Sequence, residues 1–138
     1  MPWPSNILAG ATVLVVDDDW FVAYYVGSVI QAVGGTVLGP HASAAAALAC
    51  LAGPESLPHV ALLNLGLHDG DALPVAHELT RTSVPILFSS TRMPVDRPTC
   101  FARWPLLTSP FAAYQVVDEL VGLLAGRHGE PERLVARA

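Results

Sequence analysis

Val60-Ala61-Leu62-Leu63-Asn64-Leu65-Gly66-Leu67-His68-Asp69-Gly70-Asp71 opens as an unbroken apolar run and closes in glycine and aspartate. A short apolar run bounded by turn residues reads as a strand buried on both faces. Such strands belong to parallel sheets, and ligands gather at the carboxyl ends of their strands. Asn64, the last residue of the run, is therefore expected to point into a site. Thr12-Val13-Leu14-Val15-Val16 repeats the pattern and runs into Asp17-Asp18-Asp19. Two such strands lying side by side would bring Asp17, Asp18 and Asn64 together.

Outward from these two runs, strand and helix signals alternate. Residues 1–11 read as an irregular lead-in. Val22, Val26, Val29, Ile30 and Val33 recur at helical spacing, so 20–33 reads as a helix. Asp18 and Asp19 suit its N-terminus electrostatically, and Gly34-Gly35 ends it. A short strand at 36–38 is closed by Gly39-Pro40. Ser43 caps an alanine-rich helix over 44–51, with Leu48 and Leu51 facing inward. The third strand spans 59–64. A third helix over 72–82 carries Pro74 in its first turn, where the missing N–H costs little. The fourth strand is 84–88, followed by Ser89-Ser90-Thr91. Pro94 and Pro98 allow only a short or distorted helix between 92 and 103. The fifth strand is 106–108. The last helix, 112–124, turns Val116, Val117, Leu120, Val121 and Leu124 inward. Five strand–helix alternations with short links imply an α/β fold, a five-stranded parallel sheet in a doubly wound flavodoxin-like (βα)5 sandwich. The expected organisation is a lead-in at 1–11, one domain at 12–126 and a polar tail at 127–138.

Composition narrows the function. The 138 residues fit one domain, and with 52% hydrophobic and 14% charged residues a full core is easily buried. All seven basic residues are arginine, none clustered into a stripe, and the net charge is −5, so nucleic acid is not an expected partner. Cys50 and Cys100 lack metal-ligand spacing and read as free buried thiols of a reducing cytoplasm. No secretory pattern opens the chain. Residues 20–54 contain no Asp, Glu, Lys or Arg. Gly34-Gly35 and Gly39-Pro40 divide that stretch, and no basic residue flanks it, so membrane insertion is not expected.

The set Val13 to Asp19, Gly39-Pro40, Ala44 to Leu48, Leu73-Pro74-Val75-Ala76, Val84-Pro85-Ile86-Leu87-Phe88 and Ser109-Pro110-Phe111 resembles, in order and spacing, the receiver domains of bacterial two-component response regulators. The likeness runs from about residue 12 to about 124 and is closest to small stand-alone receivers. It implies a phosphorelay fold in which an acidic pair binds Mg²⁺, an aspartate takes the phosphoryl group, and a hydroxyl and a lysine hold the product. Asp17 and Asp18 match the acidic pair. Ser90 matches the hydroxyl position, and Ser109–Pro110 matches the place where a cis peptide is often found. Two positions depart from the family pattern. Asn64 stands at the phosphoacceptor, and Ser109 stands at the lysine.

An amide cannot form an acyl phosphate, and a chain without lysine supplies no substitute cation. The resemblance therefore implies a stand-alone, degenerate pseudo-receiver that is not an enzyme. It would require no cofactor, with Mg²⁺ binding at Asp17 and Asp18 weakened. It would act by contact with a histidine kinase, a phosphotransfer protein, another regulator or a second copy of itself. Tyr24, Tyr25 and Ser28, on the uncharged outer face of the first helix, are the interface candidates. Asp19 reads as a cap, Asp69 and Asp71 as shapers of the loop after the third strand, and His68 as a solvated residue that could tune the site. Ser90 and Ser109 are expected to hydrogen-bond Asn64 or nearby backbone. Two other readings stand beside this one. The first is a conventional phosphorelay receiver with residual Mg²⁺-dependent binding of phosphate analogues. The second is a small haloacid-dehalogenase-like phosphatase, suggested by the strand leading into Asp17-Asp18-Asp19.

Overall fold

The computed structural model describes residues 4–53, 57–91 and 97–126. Five parallel strands, β1 (Thr12–Val16), β2 (Thr36–His41), β3 (Val60–Asn64), β4 (Ile86–Ser90) and β5 (Leu106–Thr108), form one sheet in the order β2-β1-β3-β4-β5. Four helices join them: α1 (Trp20–Ala32), α2 (Ala44–Ala52), α3 (Leu73–Arg81) and α4 (Ala113–Leu124). The predicted alternation is thus the observed one, and the parallel register sets Val13 beside both Val37 and Val60.

Side-chain alternation along the strands divides the core in two. Val13, Val15, Leu62, Leu87 and Leu107 face α1 and α4, packing on Val26, Ile30, Val116 and Leu120. Leu14, Val16, Leu63, Ile86 and Phe88 face α2 and α3, packing on Ala47, Leu51, Val75 and Leu79. All five residues of β3 are buried, as expected of a central strand covered on both sides.

The structure corrects several local expectations. β2 does not stop before Gly39 but runs through Gly39-Pro40 to His41, with a register shift between Leu14 and Val16 of β1. Proline is tolerated because β2 lies at the edge of the sheet and the irregularity absorbs its missing donor. Gly39 (φ +108°) approaches the Val15 carbonyl so closely that a Cβ would lie 3.0 Å from that oxygen. The peptides Gly39–Pro40 and Ser109–Pro110 are both cis; the sequence reading named only the second. The lead-in is irregular but not peripheral. Leu8 is buried in the α1/α4 core, and its N–H donates to Val33 O at 2.9 Å. In α4 it is Leu123 that is buried, while Leu124 is exposed. Cys50 and Cys100 are free, as expected, but neither is buried: Cys50 is half-buried on α2, and Cys100 is exposed on a short 3-10 turn at Thr99–Phe101. That turn is the only helical piece between 97 and 103; residues 92–96 of the expected short helix, like the tail at 127–138, lie outside the described residues. Among the described residues no helix is long and apolar enough to cross a membrane.

Candidate functional site

The carboxyl ends of β1, β3 and β4 build the site. Continuing the alternation by one residue from Val16, Leu63 and Phe88 places Asp17, Asn64 and Ser89 on the α1/α4 side of the sheet. Asn64 and Ser89 are in direct register. All three are buried, with Asp17 only 2% exposed.

Asn64 is held at both ends of its amide. Its Nδ2 donates to Asp17 Oδ2 at 3.3 Å, and its Oδ1 accepts from the Gly66 N–H at 2.7 Å. The other Asp17 oxygen accepts from the Asp19 N–H at 2.9 Å. Burial pushes the Asp17 carboxyl above its ordinary range, and the neighbouring Asp18 and Asp19 charges add to this. The hydrogen bonds from Asp19 and Asn64 oppose it. An amide at 64 thus does what a carboxylate there could not: it donates to a buried anion.

Asp18 turns toward the loop after β3. Its Oδ2 accepts from the backbone N–H of His68 and also meets the His68 Nδ1. The loop folds into a two-residue antiparallel ribbon pairing Gly66–Leu67 with Gly70–Asp71, a feature the sequence did not announce. Asp71 accepts from the Leu73 N–H at the start of α3. Asp69 reaches further than expected: its carboxylate accepts from Ala44 N and Ala45 N, at 3.0 and 3.1 Å, capping α2 from 25 residues away. Those two bonds, the Ala44 one first, hold the Asp69 carboxyl below its ordinary value. Asp19 caps α1 through Phe21 N and Val22 N, and Ser43 caps α2 through Ala46 N, as predicted.

Ser90, which the sequence resemblance aligns with a receiver's hydroxyl, is buried, and its carbonyl accepts the Ser109 N–H at 2.8 Å. Ser109 begins the loop after β5 and, with Pro110 and Phe111, faces Phe21 and Tyr25 across a cleft of about 200 Å³. Sequence reasoning missed Ser89. Its hydroxyl is buried without a hydrogen-bond partner beside Asn64. Strict alternation from Phe88 was the available signal. A buried hydroxyl left unpaired costs more than it returns, so Ser89→Ala is expected to raise stability by about 1 kcal/mol in urea unfolding. A loss of similar size would show that the hydroxyl is engaged.

The residues fit Mg²⁺ poorly. Both Asp17 oxygens and the Asn64 carbonyl already accept hydrogen bonds, and Asp18 is engaged by His68. Among the described residues no group of three or more His, Cys, Asp or Glu side chains stands ready for a metal.

No family model matches the sequence, and no curated protein matches it by sequence. Solved structures do match in shape. A response regulator receiver protein from Sinorhizobium medicae WSM419 has TM-score 0.73 at 20% identity, covering 85% of this chain and 96% of its own. SdrG from Sphingomonas melonis Fr1 has TM-score 0.72 at 25% identity, covering 86% and 98%. A response regulator receiver protein from Burkholderia phymatum has TM-score 0.73 at 24% identity, covering 83% and 95%. With its strand order, its two helical layers and these neighbours, the chain has the CheY-like receiver-domain fold of response regulators.

Proposed function

We propose that this chain is a receiver-type module of two-component signalling that works without phosphorylation, through contacts with other proteins. The observation that carries this reading is the Asn64 amide, bridged between Asp17 and Gly66 at the position where a receiver needs a nucleophilic carboxylate. An amide nitrogen committed to a buried carboxylate has no lone pair to offer phosphorus, and the lysine position holds Ser109. Without acceptor or cation the site is structural: it joins β1, β3 and the loop after β3. The module is not an enzyme and requires no cofactor. Mg²⁺ binding at Asp17 and Asp18 is weak, because it must displace existing hydrogen bonds.

The contact surface is α1. Trp20, Phe21 and Tyr24 are 74%, 70% and 67% exposed, and Tyr25 and Ser28 are exposed beside them. Trp20 stacks edge-to-face on both Phe21 and Tyr24, with centroids 6.3 Å apart in each pair. A charge-free, aromatic helix face has the composition of an interface core. The expected partners are the helical domain of a histidine kinase, a phosphotransfer protein, another regulator or a second copy. Sedimentation velocity of the parent and of a Phe21→Ser/Tyr24→Ser/Tyr25→Ser variant, alone and with its cognate kinase's helical domain, tests this. The parent should form a complex that the variant does not, with equal helicity and equal melting of the two proteins alone. A variant that associates as the parent does would remove α1 from the account.

A further inference from the structure

Trp20, Tyr24, Gly27 and Gln31 lie on the flank of α1 away from Ser109 and Phe111, at intervals of four, three and four residues. That is the spacing at which one helix packs along another. Trp20 and Tyr24 project from this seam into solvent. Beside them a groove of about 390 Å³ opens between the helix and the end of β2, with Gly27 at its floor and Pro40 and Ala42 across it. A helix-interior glycine is destabilising relative to alanine, and the fold does not demand one here. A Cβ at 27 would meet only Val37 Cγ2, at an ordinary 3.8 Å, and the backbone there is helical. The carboxylates of Asp17 and Asp18, at one end of the groove, are already engaged by Asn64, Asp19 and His68. The groove therefore selects its occupant by shape and not by charge.

We propose that the groove receives the Tyr24 ring of a second copy of this chain, in a two-fold dimer whose α1 helices pack antiparallel. This rests on the reading of α1 as the contact surface and names its partner. The seam carries both halves of the fit, two projecting rings and a hole at Gly27. A two-fold contact sets residue i on j and j on i, so one surface must supply both. The antiparallel register that sets Tyr24 over Gly27 of the other copy also sets Trp20 over Gln31, and large side chains then meet small or flexible ones along the seam. Charge points the same way. The chain carries a net charge of −5, yet none of its Asp, Glu or Arg lies in residues 20–54. Copies meeting through α1 and the end of β2 keep their acidic surfaces apart, and a charged partner would find no counter-charge there. The antiparallel arrangement also places the two exposed Asp19 carboxylates at opposite ends of the contact. Area is sufficient. With Trp20 and Tyr24 at 74% and 67% exposure, the four rings of two copies offer roughly 400–700 Å². They cover a similar area of the grooves they enter, and the sum of roughly 800–1,400 Å² is that of a weak but specific interface.

Sedimentation velocity of the full chain alone, from about 1 µM to about 1 mM, tests the pairing. The parent is expected to pass from monomer to dimer with a Kd on the order of 10–100 µM. Tyr24→Ser and Gly27→Leu should each weaken the dimer by about tenfold or more, since one removes the ring and the other fills its hole. Leucine at 27 favours the helix and leaves every aromatic ring of α1 in place, so a folded Gly27→Leu variant that stays monomeric reports a blocked groove. Tyr114→Ser, which removes an exposed ring from α4, should dimerise as the parent does. A parent that stays monomeric throughout, a Gly27→Leu variant that dimerises as the parent does, or a loss in Tyr114→Ser equal to that in Tyr24→Ser would overturn the proposal. A monomeric parent that still binds the kinase's helical domain through Phe21, Tyr24 and Tyr25 would end the dimer and leave α1 as the contact surface, so the two readings fail separately.

Discussion

Asn64→Asp is expected to destabilise the fold by about 2–3 kcal/mol near neutral pH, because it sets a second buried carboxylate against the first. The Asn64 amide now donates to Asp17 Oδ2 at 3.3 Å, and an ionised aspartate at 64 would replace that donor with a charge. Burial already pushes the Asp17 carboxyl above its ordinary value. With two carboxylates in contact the pair holds on to one proton, so its folded pKa lies above the unfolded value of about 4. A carboxyl whose folded pKa is raised contributes stability below the unfolded value and loses it as pH rises through the folded one. The deficit of the variant should therefore be small near pH 4 and grow towards pH 8. Urea unfolding across that range measures it. Adding Ser109→Lys should return part of the loss, since a cation at the same sheet edge offsets the new charge. A pH-independent deficit would show that shape, not charge, determines the residue at 64.

Truncation of Phe88 is expected to be costlier. Phe88→Ala should remove about 3–5 kcal/mol, the usual cost of deleting a buried aromatic ring. Phe88 is fully buried in the α2/α3 core and meets the Phe101 ring edge-to-face at 5.9 Å. The Arg97 guanidinium lies 5.5 Å from the same ring while donating to the Trp104 carbonyl at 2.8 Å. The ring thus ties Arg97 and the Thr99–Phe101 turn, ahead of β5, to the sheet. A domain of this size has only about 5–15 kcal/mol in hand, so the variant should unfold at much lower urea concentration. Phe88→Leu, which keeps most of the volume, should lose less than half as much. A loss of under about 1 kcal/mol in Phe88→Ala would mean that the Phe101 turn collapses into the space without penalty.

Much of this architecture was legible in the sequence because apolar runs of parallel strands and the spacing of α1 and α4 are local signals. Asp19 and Ser43 were readable as caps for the same reason: the donors they satisfy lie two or three residues on. The order Asp17, Asn64, Ser109–Pro110 was readable through the family resemblance. What stayed hidden depends on groups far apart in the chain. Asp69 caps α2 through Ala44 and Ala45, and nothing near residue 44 announces a second cap. Gly39-Pro40 reads as a stop, yet the strand continues because β2 is an edge and a register shift absorbs the proline. Trp20 and Phe21 read as helix residues of no particular face, and their exposure depends on where α1 begins relative to the sheet. Leu8 fills a gap beside Val33 that no lead-in pattern reveals.

The central claim is that the site at Asn64 is uncoupled from phosphoryl chemistry. Its most direct measurement is thermal unfolding with and without Mg²⁺ plus beryllofluoride, a complex that mimics an aspartyl phosphate where a carboxylate and a metal act together. A ligand that binds only the folded chain raises the melting temperature in proportion to the logarithm of its concentration over its Kd. The parent is expected to shift by less than about 1 °C, while the Asn64→Asp/Ser109→Lys variant shifts upward and shows that the assay works. A rise of several degrees in the parent would mean that Asp17 and Asp18 still form a working phosphoryl pocket, and would return this chain to the phosphorelay.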